Sequence, residues 1–562
     1  MNACSTPVPD HTADVDVRCV LPPSLFDVII IGTGLSECLL AGALAKAGQN
    51  VLHIDTAEYY GAEYAAFHSS EFMENQDDFS WLHIPDSPSS SPSSSPGTYP
   101  SVNSESEQHI TKEDSVKEQH IALLHPILLN HPKATHYFEK LLGITNFSES
   151  HLRDMSPKQL AQAALLANIL KGSHEFNIEQ IPLLLYCRGP LVDLLVSSRA
   201  GPFLEFKLLE DMYLEWNGEM EKVPGSKEDV FSIKSTDLVG KRYLMKFLSF
   251  ALDYKTNEEL WHVYYSIDLD YRDKPFSEFL ATQKLNPKMA GVIIHAIALV
   301  TNLHTSQNIT TAEGLLLTHN HLSSLGRYGK GAFLMGIYGS GNTPRYTAVY
   351  GGTYILGFKL DNIVVGTDGV SVFGEGKQFN AKYLVIGASH ASLLPIDTKV
   401  ETSYSWRSTI ITHSALIGEG TLALTILPPR AEGRSDGVFA LQSNSTTKVC
   451  PDKFYTIALV SDSCSTTRED LQNTLEVLAK NYCRNHPDSD GFTSLQLFHH
   501  IKHTKVITQA GWVHDRVAVC QGPTLSVHAE HHVQEARTIF EKICPESPFY
   551  PEQPDPNLID DD

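Results

Sequence analysis

The passage from Phe26-Asp27-Val28-Ile29-Ile30-Ile31 into Gly32-Thr33-Gly34 restricts the fold more than any other part of the chain. A short run that is almost wholly apolar and rich in β-branched residues predicts a parallel strand covered on both faces. Two glycines directly after it allow a tight turn and bring bare backbone close to whatever lies at the strand's carboxyl end. A helix over Leu39–Ala47 and a second strand, Val51–Ile54, ending at Asp55, complete a βαβ opening. In a dinucleotide-binding unit a third glycine gives close helix–strand packing, and the acid after the second strand takes a ribose. Ala41, Gly48 and Asp55 suit that scheme, but the third glycine position is Glu37. A carboxylate there answers the helix dipole itself and repels a pyrophosphate brought to the same place. The expectation is a degenerate dinucleotide motif of Gly32, Gly34, Glu37 and Asp55, in a flavoprotein-like fold with no bound FAD.

A chain of 562 residues implies several domains, at roughly 100–200 residues each. Lys and Arg number 43 against 66 Asp and Glu, a net charge of −23. Such an acidic balance disfavours nucleic acid or an anionic membrane as an unaided partner. The longest apolar stretches, such as Gly291–Val300, fall short of a membrane span, which needs about 20 residues. No secretory leader pattern opens the chain. Nine scattered cysteines without a CxxC pair fit reduced thiols in a cytosolic protein. The expected location is cytoplasmic.

The predicted organisation is discontinuous. Residues 1–25 read as a flexible arm, and 26–227 as the first part of a large α/β domain. Within that part, a Ser/Pro-rich and then charged stretch at about 85–120 is too poor in apolar surface to offset chain entropy, and is expected to be disordered. Helical patterning returns over 121–170. Residues 228–326 read as a helical domain, with Leu244, Phe247, Leu248, Ala251 and Leu252, and then Val292, His295, Ala296 and Leu299, at helical spacing. Residues 327–546 read as the second part of the large domain, opening with a β-meander over 363–386. Helices are expected at Thr466–Lys480 and Val533–Ile543, and 547–562 form an acidic tail.

Further residues give the motif a family context. Ile31 to Cys38, Val51 to Asp55 and Tyr59-Tyr60-Gly61 resemble the opening of the Rab GDP-dissociation inhibitor/Rab escort protein superfamily. Four later segments agree in order: Leu184-Leu185-Tyr186-Cys187-Arg188-Gly189, Val223-Pro224, Leu325-Gly326-Arg327-Tyr328-Gly329-Lys330 and Ala348-Val349-Tyr350-Gly351-Gly352-Thr353-Tyr354. The insertion between 68 and 172, together with Met245-Lys246-Phe247-Leu248 and Phe276-Ser277-Glu278-Phe279-Leu280, resembles the escort branch, component A of Rab geranylgeranyltransferase.

The resemblance implies an FAD-binding-like, GDI-type large domain that carries a Rab-binding platform. It also implies a helical domain that shelters geranylgeranyl chains and docks the transferase α/β heterodimer. It places Tyr60, Arg345 and Thr353 in the platform and Phe276 at the transferase, with Phe247, Leu248, Ala251, Ile294 and Leu299 as lipid-pocket candidates. The implied partners are GDP-bound Rab GTPases, the heterodimer and the lipid on the Rab, with membrane contact only through lipidated Rab and no catalysis by this chain. One departure stands out: Asn342 replaces the family's acidic residue, in a shortened loop before Arg345.

Taken without the family, Tyr60, Arg345 and Phe276 could equally be a packed loop tyrosine, a surface ion-pair former and a core residue. A GDP-dissociation inhibitor recycling prenylated Rabs is the first alternative function, and an FAD-dependent oxidoreductase the second. His528, His531, His532 and Glu535 could hold a metal on one helix turn, but a solvated helix start is the expectation, as for His499, His500 and His503. No metal site is expected.

Overall fold

The computed structural model describes residues 25–74, 79–81, 112–130, 134–143, 145–179, 181–198, 201, 204–226, 229, 237–255, 271–338, 352–396, 402–418, 420, 422–430, 434, 436–461, 463–486, 497–507, 511–522 and 527–550. The Ile-rich run forms the strand Leu25–Ile31, buried along nearly its whole length. It pairs in parallel with Val51–Ile54 on one side and Lys377–Gly387 on the other. Thr353–Ile355 adds outside Val51–Ile54, and Val517–Cys520 outside Lys377–Gly387, both in parallel. Strand Val370–Gly374 folds antiparallel onto the first half of Lys377–Gly387, and Leu360–Val365 antiparallel onto Val370–Gly374, which is the expected meander. Residues more than 300 apart in sequence thus complete one sheet, so the large domain is discontinuous.

The first helix, Leu35–Lys46, begins four residues earlier than the expected Leu39, directly after Gly34. Its residues Leu35–Leu44 are all buried, with apolar side chains on every side and Ser36 and Glu37 as the polar exceptions. It packs between the parallel sheet and the amphipathic helix Glu530–Ile543. Gly48, at φ 83°, ends it in the left-handed conformation that glycine adopts without strain. The tail also begins anchored: Tyr550 is buried and its hydroxyl donates to the Leu39 carbonyl at 2.8 Å.

A second eight-stranded sheet, antiparallel apart from one parallel pair, runs from Phe79–Trp81 to Glu219–Lys222. Helix Arg468–Asn485 covers part of it through Leu471, Leu475 and Leu478. A small three-stranded sheet brings Leu184–Tyr186 and Phe206–Leu209 against Phe333–Gly336.

The helical domain contains Leu238–Asp253, Phe276–Thr282, Pro287–Gly291, Leu303–Asn308 and Thr311–Ser324. Asp237 and Asn286 cap the first and third of these through their side chains, and a Thr310/Glu313 capping box opens the last. Its core is Leu244, Phe247, Phe250, Phe276, Phe279, Ile293 and their neighbours.

Several expectations need correction. The stretch to residue 119 was expected to be disordered, yet residues 112–119 belong to the helix Lys112–Asn130, so helical structure begins before 121. The rest of the Ser/Pro-rich stretch, the arm 1–24, Asn342 and Arg345 lie outside the described residues. His499, His500 and His503 are on the strand Leu497–Ile507, not at a helix start. The periodicity over 292–299 does not continue as one α-helix. Val292–Ile297 is a π-helical turn, in which Ala298 donates to Ile293, and Leu299 at φ 55° leaves it to join the large-domain core.

Phe276 is fully buried and stacks with Phe279, and a Cβ added at Gly314 would run into its ring. Phe276→Ala should therefore cost about 3–5 kcal/mol of helical-domain stability, read as a lowered urea midpoint. A loss within about 0.5 kcal/mol, the scale of surface substitutions, would contradict that packing.

Candidate functional site

At the carboxyl ends of the parallel strands, Gly32 adopts φ 103° and turns the chain into the helix. Thr33 follows, and its hydroxyl donates to Asp55 Oδ2 at 2.7 Å. The other Asp55 oxygen accepts from the Ala57 amide at 2.9 Å, and His390 Nε2 lies 3.7 Å away. Asp55 is 1% exposed. The acid that would hold a ribose is thus already occupied by protein donors.

Glu37 is 4% exposed, and its carboxyl group lies over Gly34, the second motif glycine, and over Gly387 at the end of the neighbouring strand. A Cβ at Gly34 would stand 2.5 Å from its Oε2, and a Cβ at Gly387 would collide with its Oε1. Burial pushes this carboxyl well above the usual carboxylate range, and Glu535, Glu63 and Asp55 add to the effect. A helix terminus offers up to about 2 kcal/mol to an anion, while burying a carboxylate without a counter-ion costs far more. Desolvation wins, and burial favours the protonated form of Glu37. The sequence reading assigned the obstruction to charge; the geometry assigns it first to volume. These residues do not fit a dinucleotide.

Beneath this cap lies a polar chain that the sequence reading missed. His532 was expected at a solvated helix start, but it is 1% exposed. Its ring nitrogens contact Ser36 Oγ and the Tyr64 hydroxyl, each at 2.8 Å. Ser36 donates to Glu535 Oε2 at 2.5 Å, and the Gln521 amide donates to Oε1 at 2.6 Å. The two hydroxyls thus occupy both ring nitrogens of His532, and the imidazole tautomer sets which end of each bond donates. Burial holds His532 far below the usual histidine pKa, consistent with one proton on the ring. The His-His-x-x-Glu spacing on an amphipathic helix was the available signal, but it read as surface because Ser36 and Tyr64 lie almost 500 residues away in sequence.

Of the predicted platform residues, Tyr60 and Thr353 lie near the same sheet edge, and Arg345 is outside the described residues. Tyr60 is partly exposed, with its ring centroid 6.1 Å from that of Tyr354, next to Thr353. Tyr354 in turn lies 4.7 Å from His53. The motifs around 186 and 327 also meet: Arg327 donates to the Cys187 carbonyl at 2.7 Å and pairs with Asp193 at 2.6 Å.

An apolar cavity of about 400 Å³ lies where the helical domain meets the large one. Helices Leu238–Asp253 and Thr311–Ser324, the turn at Val292 and Ile297, and the loops at 224–226 and 325–330 enclose it. Of the five lipid-pocket candidates only Leu248 lines it. Phe247, Ala251 and Ile294 pack inside the helical core, and Leu299 in the large-domain core. The spacing identified the right helix but not which side of it faces open space. Leu252, 41% exposed, marks the cavity rim.

The fold agrees with the comparisons to known proteins. The family model described as GDP dissociation inhibitor matches residues 23–83 and 160–546, and the chain belongs to that family. It is 28% identical to the human Rab proteins geranylgeranyltransferase component A 2, over 96% of this chain and 93% of that one. It is 24% identical to Rab escort protein 1 of Arabidopsis thaliana, over 82% and 80%. Among solved structures, the Rab GDI of Plasmodium falciparum superposes with a TM-score of 0.62 at 17% identity, covering 93% of this chain and 98% of that one. The fold is therefore the GDI-type, FAD-binding-like α/β architecture. No described helix is long and apolar enough to cross a membrane.

Glu535 offers a test of the buried chain. Burial raises its pKa to about 7, against an ordinary 4.5. A carboxyl raised in the folded state contributes stability below its unfolded pKa and loses it as pH rises through the folded one. Between pH 6 and 8 the wild type should thus lose stability relative to Glu535→Gln, read as diverging urea midpoints. Parallel midpoints across that range would contradict the burial of this group.

Proposed function

We propose that the chain is a non-catalytic escort subunit of Rab geranylgeranyl transfer. It binds newly made, GDP-bound Rab GTPases, presents them to the transferase heterodimer, shields the attached lipids and delivers the Rab to membranes. The observation that carries this reading is the apolar cavity between the two domains, in a family member whose dinucleotide site is filled by its own carboxyl group. Each CH₂ of a prenyl chain gains about 0.8 kcal/mol on leaving water, so a lipidated Rab needs a protein cavity to stay soluble. Leu248, Leu252 and Val292 supply apolar wall for it.

Tyr60 and Thr353, with Arg345, form the Rab-facing platform. Phe276 supports transferase docking as a positioning residue: its buried ring holds the helix Phe276–Thr282, whose exposed Ser277 and Glu278 remain free for a partner. The protein works in the cytosol without FAD and meets membranes only through its cargo. Binding of already prenylated Rab without support of transfer would instead indicate the GDP-dissociation inhibitor reading.

Two variants test the assignments. Tyr60→Ala should weaken binding of GDP-loaded Rab about tenfold while the melting temperature stays within a few degrees; unchanged affinity would remove Tyr60 from the platform. Leu248→Asp should abolish retention of geranylgeranylated Rab in solution and leave binding of unprenylated Rab intact. Equal loss of both would contradict a separate lipid cavity.

A further inference from the structure

A second cleft, of about 600 Å³, opens between the second sheet and the helix Arg468–Asn485 and shares no residue with the lipid cavity. Its walls are chemically different. Tyr213, Tyr455 and Tyr482 contribute aromatic surface from two strands and the helix, and Asn481 and Asn485 present amides one helical turn apart. None of the described residues that line it is Asp, Glu, Lys or Arg.

At its base lies Thr425, which is fully buried and whose Oγ1 has no hydrogen-bond partner in the protein. A buried hydroxyl left unpaired is costly and calls for a partner, and Thr425 is among the residues that line the cleft.

The described residues of the facing wall are closely fitted. Gly418 and Gly420 sit at φ 60° and 84°. A Cβ on either would stand 2.6 Å from the Tyr213 hydroxyl and 2.9 Å from the Tyr455 hydroxyl, respectively. Gln442 both donates to the Ile417 carbonyl at 2.8 Å and accepts its amide at 3.0 Å, and Asn444 holds the Gly420 carbonyl at 2.6 Å. The site is pre-formed, of ligand-sized volume, and held at both ends by strand side chains.

We infer that this cleft binds an uncharged planar heteroaromatic ring of the nucleobase type, stacked on tyrosine and met at its edge by Asn481, Asn485 and Thr425. Aromatic faces take any base by stacking, and amide and hydroxyl groups read its hydrogen-bonding edge. The described lining holds no Asp, Glu, Lys or Arg, and its two histidines, His413 and His486, each turn Nδ1 to a backbone carbonyl, of Lys453 and Tyr482, which favours a base or nucleoside over a nucleotide. The inference is independent of the escort reading, because it concerns different residues and a different ligand.

The test titrates the full-length protein with adenosine and with guanosine by calorimetry, using glucose as an uncharged, non-aromatic control. At least one nucleoside should bind saturably, and glucose should not. Tyr482→Ala, at the partly exposed mouth, should weaken binding about tenfold with the melting temperature unchanged. Thr425→Val should weaken it several-fold without changing the fold, because Val keeps the shape and removes the hydroxyl. Saturable glucose binding, no binding of either nucleoside, or undiminished binding by Tyr482→Ala would overturn the inference. If Thr425→Val unfolds, the Tyr482 result decides alone.

Discussion

The Glu37 carboxyl group is the constraint on which the rest of the structure turns. It occupies the position where the third glycine of a dinucleotide motif would leave room, and it covers Gly34 and Gly387. Because it is buried and burial favours its protonated form, it substitutes for a ligand in volume. Around it Asp55, the acid that would take a ribose, is turned to Thr33 and Ala57, and the buried Ser36, Glu535, His532 and Tyr64 bond to one another. The carboxyl edge of the sheet becomes a closed, packed base. A surface beside such a base can bind a partner without being interrupted by a cofactor cleft.

The second consequence concerns the domain junction. With the cofactor site filled, the described apolar cavity lies between the helical domain and the loops at 224–226 and 325–330. The motifs around 186 and 327 are tied together at this junction by Arg327, which bridges Cys187 and Asp193. The same region therefore ties the two parts of the large domain together and frames the cavity. An occupant of the cavity touches both the helical and the large domain, so filling it couples to how the domains sit on one another.

Much of this was legible in the sequence, for identifiable reasons. The strand–glycine–helix opening, the Asp55 position and the meander depend on local pattern and turn chemistry, and they emerged as read. The obstruction at Glu37 was also readable, because one residue stands where a glycine is required. What local pattern could not show was the orientation of side chains whose partners are distant in sequence. Phe276 and Phe247 read as a docking anchor and a pocket wall, but both close the helical core. His532 read as solvated because Ser36 and Tyr64 reach it only after the sheet has formed. Leu299 fell out of its helix because a π-helical turn shifts the phase by one residue, an event that a 3.6-residue period does not contain.

The central claim is that a dinucleotide fold with its cofactor site sealed by its own side chain serves as a carrier of lipidated cargo. The most direct measurement mixes the purified chain with a GDP-loaded Rab, the transferase heterodimer and geranylgeranyl diphosphate, and follows lipid incorporation while recording the visible spectrum of the chain alone. The account predicts a colourless protein and lipid transfer that rises with the amount of chain added. Stoichiometric flavin in the purified chain, or transfer that is the same with and without it, would contradict the account.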